Sequence, residues 1–292
     1  MHQLFCMRSF FQNSLSVLFS VLMTFGAISC SSEPNETETS VNSKLSKRMF
    51  KQTILKDTIK GIYSKSGKRI AYSQLSYNLD STEKKISFIL FLHGAGERGI
   101  DNEAHLKVGL PNLVNSLKKA GLKNFIVLAP QCPMNERWVD VDWSATSHVM
   151  KKNPHWPLDL VFSLMDSITT SNPNFDTTRF YVTGLSMGGY GTWEVLQRRP
   201  NMFAAAIPIC GGGDKTLGKS LVNIPIWMFH GTKDKAVPVV RTSDMFNSIK
   251  KEAGTTLKAK MTIYENKGHL IWNETYDNQE VIKWFVTQRK NS

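Results

Sequence analysis

Residues 180–193, Phe-Tyr-Val-Thr-Gly-Leu-Ser-Met-Gly-Gly-Tyr-Gly-Thr-Trp, constrain this chain more than any other stretch. Phe180 to Thr183 have the apolar, β-branched character of a buried strand, and the residues from Tyr190 onward read as a helix. Between them lies Gly184-x-Ser186-x-Gly188. Glycines two before and two after the serine remove the Cβ atoms that would collide in so sharp a reversal, and the Ser186 hydroxyl projects from the turn. The serine also stands at a helix N-terminus, where free amides and the dipole favour developing negative charge. A hydroxyl alone is a poor nucleophile, so a base, an orienting carboxylate and an oxyanion site must come from elsewhere in the chain.

Strands and helices alternate around this stretch, which predicts an α/β fold: a mostly parallel sheet with helices on both faces. Ile54 to Tyr63 and Arg69 to Tyr77 read as an antiparallel hairpin across Ser64 to Lys68. Lys85 to Leu92 are almost wholly apolar, as only a strand covered on both faces tolerates. This strand runs into His93-Gly-Ala-Gly-Glu-Arg-Gly99, a glycine-rich loop able to turn amides toward one point, as an oxyanion hole requires. A phosphate cradle is the rival reading, but the Lys-Ser/Thr ending of a P-loop is absent. Glu97 and Arg98 are expected to form an ion pair that holds the loop.

Further strands are expected at 124–129, 203–209, 224–229 and 257–264, with helices at 106–120, 157 onward, 243–253 and 278–289. The stretch from Pro130 to His155 has no clear period and contains Trp138 and Trp143. These rings either line a substrate cleft or pack the loop onto the core. Ser186, a carboxylate and His269 follow one another in the order nucleophile, acid, histidine, each after a strand. That order with that elbow is the α/β-hydrolase signature. Asp234 follows the penultimate strand, and Asp214, one strand earlier, is its rival for the acid.

The 292 residues are 41% apolar and carry a formal charge of +12, from 36 Lys and Arg against 24 Asp and Glu. No run of five basic residues concentrates this charge and no nucleic-acid motif is present, so a generally basic surface is the simpler reading, with anionic substrates as the alternative. Residues 1–29 read as an export signal, with an apolar run from Val17 to Ile28 too short for a membrane span. Ala27-Ile28-Ser29-Cys30 resembles the lipobox of bacterial lipoproteins, with Ala27 where leucine is usual. The resemblance implies a lipidated Cys30, a polar tether over 30–48 and a catalytic domain over 49–292, the protein being anchored to a bacterial membrane in the cell envelope. Ala27-x-Ser29 also fits the cleavage site of a secreted, soluble protein.

His93-Gly-Ala-Gly-Glu-Arg-Gly99, Gly184-Leu-Ser-Met-Gly-Gly189, His230-Gly-Thr-Lys-Asp234 with Val237-Pro238, and Gly268-His269 together resemble bacterial α/β-hydrolase esterases. The group is that of feruloyl and acetylxylan esterases and polyhydroxybutyrate-depolymerase-like enzymes, some labelled predicted peptidases or phospholipase/carboxylesterases. The resemblance runs from about residue 69 to the C-terminus. It implies Ser186 as nucleophile, His269 as base, Asp234 as orienting acid and the amides of Ala95 and Met187 as oxyanion donors, with no metal or cofactor. The implied substrate is a carboxylic ester, on an extracellular carbohydrate or a similar carrier. A serine peptidase with the same triad and a non-catalytic surface-binding lipoprotein are the alternatives. Cys132 and Cys210, if they follow the fourth and sixth strands of the usual hydrolase order, are about 14 Å apart. A disulfide spans about 7 Å between Cα atoms, so they are expected to stay unpaired.

Overall fold

The computed structural model describes residues 57–79 and 85–290. The expected export signal, the expected lipidation at Cys30, the expected tether and the expected start of the domain at Met49 lie outside the described residues. Eight strands form one sheet: β1 Thr58–Lys65, β2 Lys68–Tyr77, β3 Ile86–Leu92, β4 Phe125–Gln131, β5 Phe175–Leu185, β6 Ala205–Ile209, β7 Ile226–Gly231 and β8 Ala259–Tyr264, in the order β1-β2-β4-β3-β5-β6-β7-β8. The pairs β1/β2 and β2/β4 are antiparallel and the remaining five are parallel. This is the α/β-hydrolase arrangement, and the parallel strands deliver their C-terminal ends to one edge of the sheet.

Among the described residues, six α-helices cover it: α1 Leu110–Lys119, α2 Trp156–Ser171, α3 Met187–Arg198, α4 Val240–Ala253, α5 Trp272–Asp277 and α6 Gln279–Thr287. Buried side chains of α2, α3 and α4 share one core, and those of α1, α5 and α6 share the other, one on each face of the sheet. The apolar run of β3 divides between them, with Phe88, Leu90 and Leu92 on one side and Ile89 and Phe91 on the other. Alternation with period two therefore accounts for a strand that has no polar face. Helix α1 buries Leu110, Leu113, Val114 and Leu117, the i, i+3, i+4, i+7 stripe that sends one side of a helix to a core.

Several elements depart from the sequence expectation. The hairpin turn tightens to Ser66-Gly67, both at positive φ (52° and 75°), because a two-residue turn of that hand matches the twist of the flanking strands. The helix expected from Leu106 begins at Leu110, since Gly109 turns the chain at φ 70° and a Cβ there would stand 2.6 Å from the Leu185 side chain. The short helix α5 was not legible, because its six residues are too few to show a period. Among the described residues, no helix is long and apolar enough to cross a membrane.

Candidate active site

The elbow is built by exclusion of side chains. Ser186 sits between β5 and α3 at φ 55°, ψ −118°, a conformation that a residue with a Cβ adopts only when its surroundings impose it. A Cβ on Gly188 would lie 1.9 Å from the Leu92 carbonyl, one on Gly184 2.4 Å from the Gly188 carbonyl, and one on Gly189 2.3 Å from the Ile209 carbonyl. All three contacts are to backbone, which has no room to yield. The Ser186 turn is thereby wedged between the ends of β3 and β6, and the Ser186 amide donates to the Ile209 carbonyl at 2.9 Å. Helix α3 starts at Met187, three residues earlier than the pattern suggests, so the amides of its first turn lie beside the serine.

His269 arrives from the loop after β8. Its Nε2 lies 2.8 Å from Ser186 Oγ and its Nδ1 2.7 Å from Asp234 Oδ2. The Trp272 ring meets the imidazole at 88°, with centroids 5.5 Å apart, so the unexpected helix α5 bears directly on the site. Asp234 comes from the loop after β7, and its carboxylate is fully enclosed. Oδ1 accepts the Ala236 and Val237 amides at 2.8 and 2.9 Å. Oδ2 accepts from His269 and lies 3.1 Å from His230 Nε2. Burial alone would raise the Asp234 pKa, but the hydrogen bonds from His230, His269 and the Val237 amide outweigh it and hold the carboxyl well below its ordinary value. Asp214 is occupied elsewhere, accepting the Met150 and Thr216 amides and the Thr216 hydroxyl, so it caps a turn and pins the long loop.

The loop after β3 is held from several sides. His93 is fully buried; its Nε2 accepts the Cys132 amide at 2.9 Å and its Nδ1 lies 2.6 Å from the Gly94 carbonyl, which sets the neutral Nδ1–H tautomer. Trp138 Nε1–H donates to the His93 carbonyl at 3.0 Å. The expected ion pair between Glu97 and Arg98 does not form. Arg98 donates instead to the carbonyls of Ala95 (2.8 Å) and Glu136 (3.3 Å), bracing the residue whose amide was expected to bind an oxyanion. Adjacent residues point apart on an extended or turning backbone, so sequence neighbours are poor candidates for ion pairs.

Trp138 corrects the idea of a cleft-lining ring. It has no exposed surface and packs beneath the His93 loop, with its ring centroid 5.2 Å from that of His93. Trp143 is half-buried against the core, under the Arg137 guanidinium, and its carbonyl accepts the Tyr190 hydroxyl at 2.9 Å. The aperiodic stretch is thus tied down through Trp138, Trp143, an Arg241–His148 hydrogen bond and the Met150–Asp214 bond. Cys132 and Cys210 are both buried and unpaired, as their separation in the sheet requires. Cys210, Asp234 and His269 bring three donor atoms within 4.8 Å of one another. Two of these are hydrogen-bonded at 2.7 Å, closer than the roughly 3.3 Å between ligands of one tetrahedral ion, so the cluster is built as a hydrogen-bond network.

Three other histidines are held neutral by burial: His93 down to about 3, and His105 and His148 down to about 4, the last helped by the Arg241 charge. Each folded value lies below the unfolded one, so the unfolded chain binds more protons between pH 6.5 and 4 and stability falls with pH across that window. Asp101 and Asp234, whose values are depressed, act only below about pH 4. The urea midpoint is therefore expected to drop between pH 7 and pH 4.5. A midpoint constant over this range would contradict the neutral assignment.

The sequence model of the dienelactone hydrolase family matches residues 124–283. A bifunctional acetylxylan esterase/xylanase of Neocallimastix patriciarum is 38% identical over 61 residues, which are 21% of this chain and 9% of that protein. A solved thermostable esterase superposes with a TM-score of 0.72 at 35% identity, over 81% of this chain and 64% of its own. This chain therefore spans less than two thirds of either relative. A ferulic acid esterase superposes with a TM-score of 0.58 at 17% identity, over 78% of this chain and 98% of its own, a likeness of fold. The family match takes in more than half of the chain, with Ser186, Asp234 and His269 inside it, and the chain belongs to the dienelactone hydrolase family.

Proposed function

We propose that this protein is a carboxylic ester hydrolase working through an acyl-enzyme, with Ser186 as nucleophile, His269 as general base and acid, and Asp234 as the orienting acid. The observation that carries the reading is the unbroken line Ser186 Oγ–His269 Nε2, His269 Nδ1–Asp234 Oδ2, at 2.8 and 2.7 Å. Asp234 keeps the imidazole proton on Nδ1, which leaves Nε2 free to take the serine proton. Oγ then bonds to the ester carbonyl carbon, and the carbonyl oxygen becomes an oxyanion facing the amides of Met187 and Ala95, each worth about 3 kcal/mol in sites of this kind. As the intermediate collapses, His269 passes its proton to the departing alcohol. Water enters, gives a proton to His269 and displaces Oγ, which regains its proton as the carboxylic acid leaves.

The substrate we propose is an acyl ester carried on an extracellular carbohydrate. Support comes from the acetylxylan and ferulic acid esterases among the similar proteins and from the export signal read at 1–29, with Cys30 as the lipid anchor and 30–48 as the tether. The test is turnover of short p-nitrophenyl acyl esters by the purified protein, followed by acetylated and feruloylated xylans and by p-nitroanilides. Hydrolysis of esters together with stoichiometric fluorophosphonate labelling of Ser186 is expected. Labelling without ester turnover, or preference for the anilides, would reject the esterase reading.

A further inference from the structure

We infer that His230 is a positioning residue for this reaction, one that acts through Asp234 by donating its Nε2–H to the acid's side facing His269. The inference rests on the triad reading above and adds a second imidazole to it. His230 lies near the end of β7 with its side chain wholly enclosed. Nε2 is 3.0 Å from the Val237 carbonyl and 3.1 Å from Asp234 Oδ2. Both neighbours are acceptors without a proton, so a bare Nε2 would bring three lone pairs together in a site that excludes water. The proton therefore resides on Nε2, shared between the two oxygens. Nδ1 is 2.8 Å from the Thr242 hydroxyl, which lies 3.1 Å from the Gly211 carbonyl and can serve the ring in either sense.

Two consequences follow for Asp234. First, its carboxylate is fixed in rotation, with two amides on Oδ1 and two imidazoles on Oδ2. Second, the negative charge of Oδ2 is divided between His269 and His230. The other titratable group against the acid is the buried Cys210 thiol at the end of β6, and Tyr190 of α3, with the Arg241 guanidinium of α4 over its ring, lies farther out. Burial and the neighbouring carboxylate push the Cys210 thiol up, so it stays neutral. Removing the His230 donor leaves a larger share of the Oδ2 charge to His269, beside the neutral Cys210 thiol. The imidazolium is then better stabilised, while the carboxylate gains freedom to turn away.

The test is the pH profile of kcat and kcat/KM for p-nitrophenyl acetate from pH 5 to 9, with rates expressed per fluorophosphonate-titrated site. His230→Phe is expected to lower kcat about tenfold, the scale of one hydrogen bond to a charged group, with KM little changed. Its acid limb is expected to move up by roughly half a pH unit. His230→Gln, whose amide N–H reaches the same place, should recover most of the rate and return the limb toward the wild type. If His230→Phe yields no titratable sites, Thr242→Val reads the same relay, with a smaller upward movement of the limb. An acid limb that stays put in the folded variants, or a glutamine as damaging as the phenylalanine, overturns the inference. Absence of turnover in the wild type would count against the triad reading instead.

Discussion

Ser186→Ala is expected to reduce hydrolysis of p-nitrophenyl acetate by roughly 10⁶-fold in kcat, the scale found when the nucleophile of such a triad is removed. The expectation is this large because the change deletes one atom and little else. The elbow is held by the backbone contacts of Gly184, Gly188 and Gly189 and by the Ser186 amide on Ile209, none of which involves Oγ. His269, its partner Asp234 and the first turn of α3 therefore stay in place. What remains is the modest acceleration that amides and binding give to attack by water. Thermal unfolding close to that of the wild type, with loss of fluorophosphonate labelling, would tie the effect to chemistry. Retention of more than a few per cent of the activity would place the nucleophile elsewhere.

Asp234→Asn is expected to cost about 10⁴-fold in kcat, although the side chain keeps its shape. The orientation of the asparagine is dictated by its neighbours. The Ala236 and Val237 amides point at the Oδ1 position and require an acceptor there, so the amide oxygen takes that place. The NH₂ group then faces His269 Nδ1 and His230 Nε2. To accept from it, His269 must move its proton to Nε2, the atom that should receive the serine proton. The base is left intact but in the wrong tautomer. A crystal structure or NMR spectrum of the variant with Nε2 protonated, together with the loss in kcat, would bear this out. A loss of tenfold or less would show that His269 is oriented by something other than Asp234. In the wild type the acid is held far below its ordinary value, so it stays ionised across the range in which activity is measured, and its titration contributes nothing to the acid limb.

The parts of the site that were legible in the sequence are those governed by local sterics and by chain order. Gly-x-Ser-x-Gly announces its own turn, because the collisions it avoids lie within a few residues or against the next strand ends. The order of Ser186, Asp234 and His269 along the chain then needs only parallel strands to bring their following loops to one edge of the sheet. Asp214 and Asp234 both follow strands, so chain order alone leaves Asp214 as a rival for the acid. Strand order separates them in space: β7, not β6, is the neighbour of β8, and Asp234 is the one that meets His269.

Other features depend on surroundings assembled from distant segments. His230 reads in the sequence as a strand-end residue, and its bearing on Asp234 arises because the loop after β7 folds back over that strand end. Trp138 has the composition of a cleft residue, yet it is the volume beneath the His93 loop that draws its ring inward and away from solvent. Arg98 bonds to carbonyls 3 and 38 residues away and leaves its adjacent carboxylate aside, because the turn of the loop aims the two side chains differently. From the sequence alone came the fold class, the sharp turn at Ser186 and the candidate triad, all consequences of backbone geometry over a few residues repeated in a regular order. Only the tertiary structure decided which donors surround the acid, which rings are buried and which loops are clamped, because those follow from contacts between strand ends that no local pattern encodes.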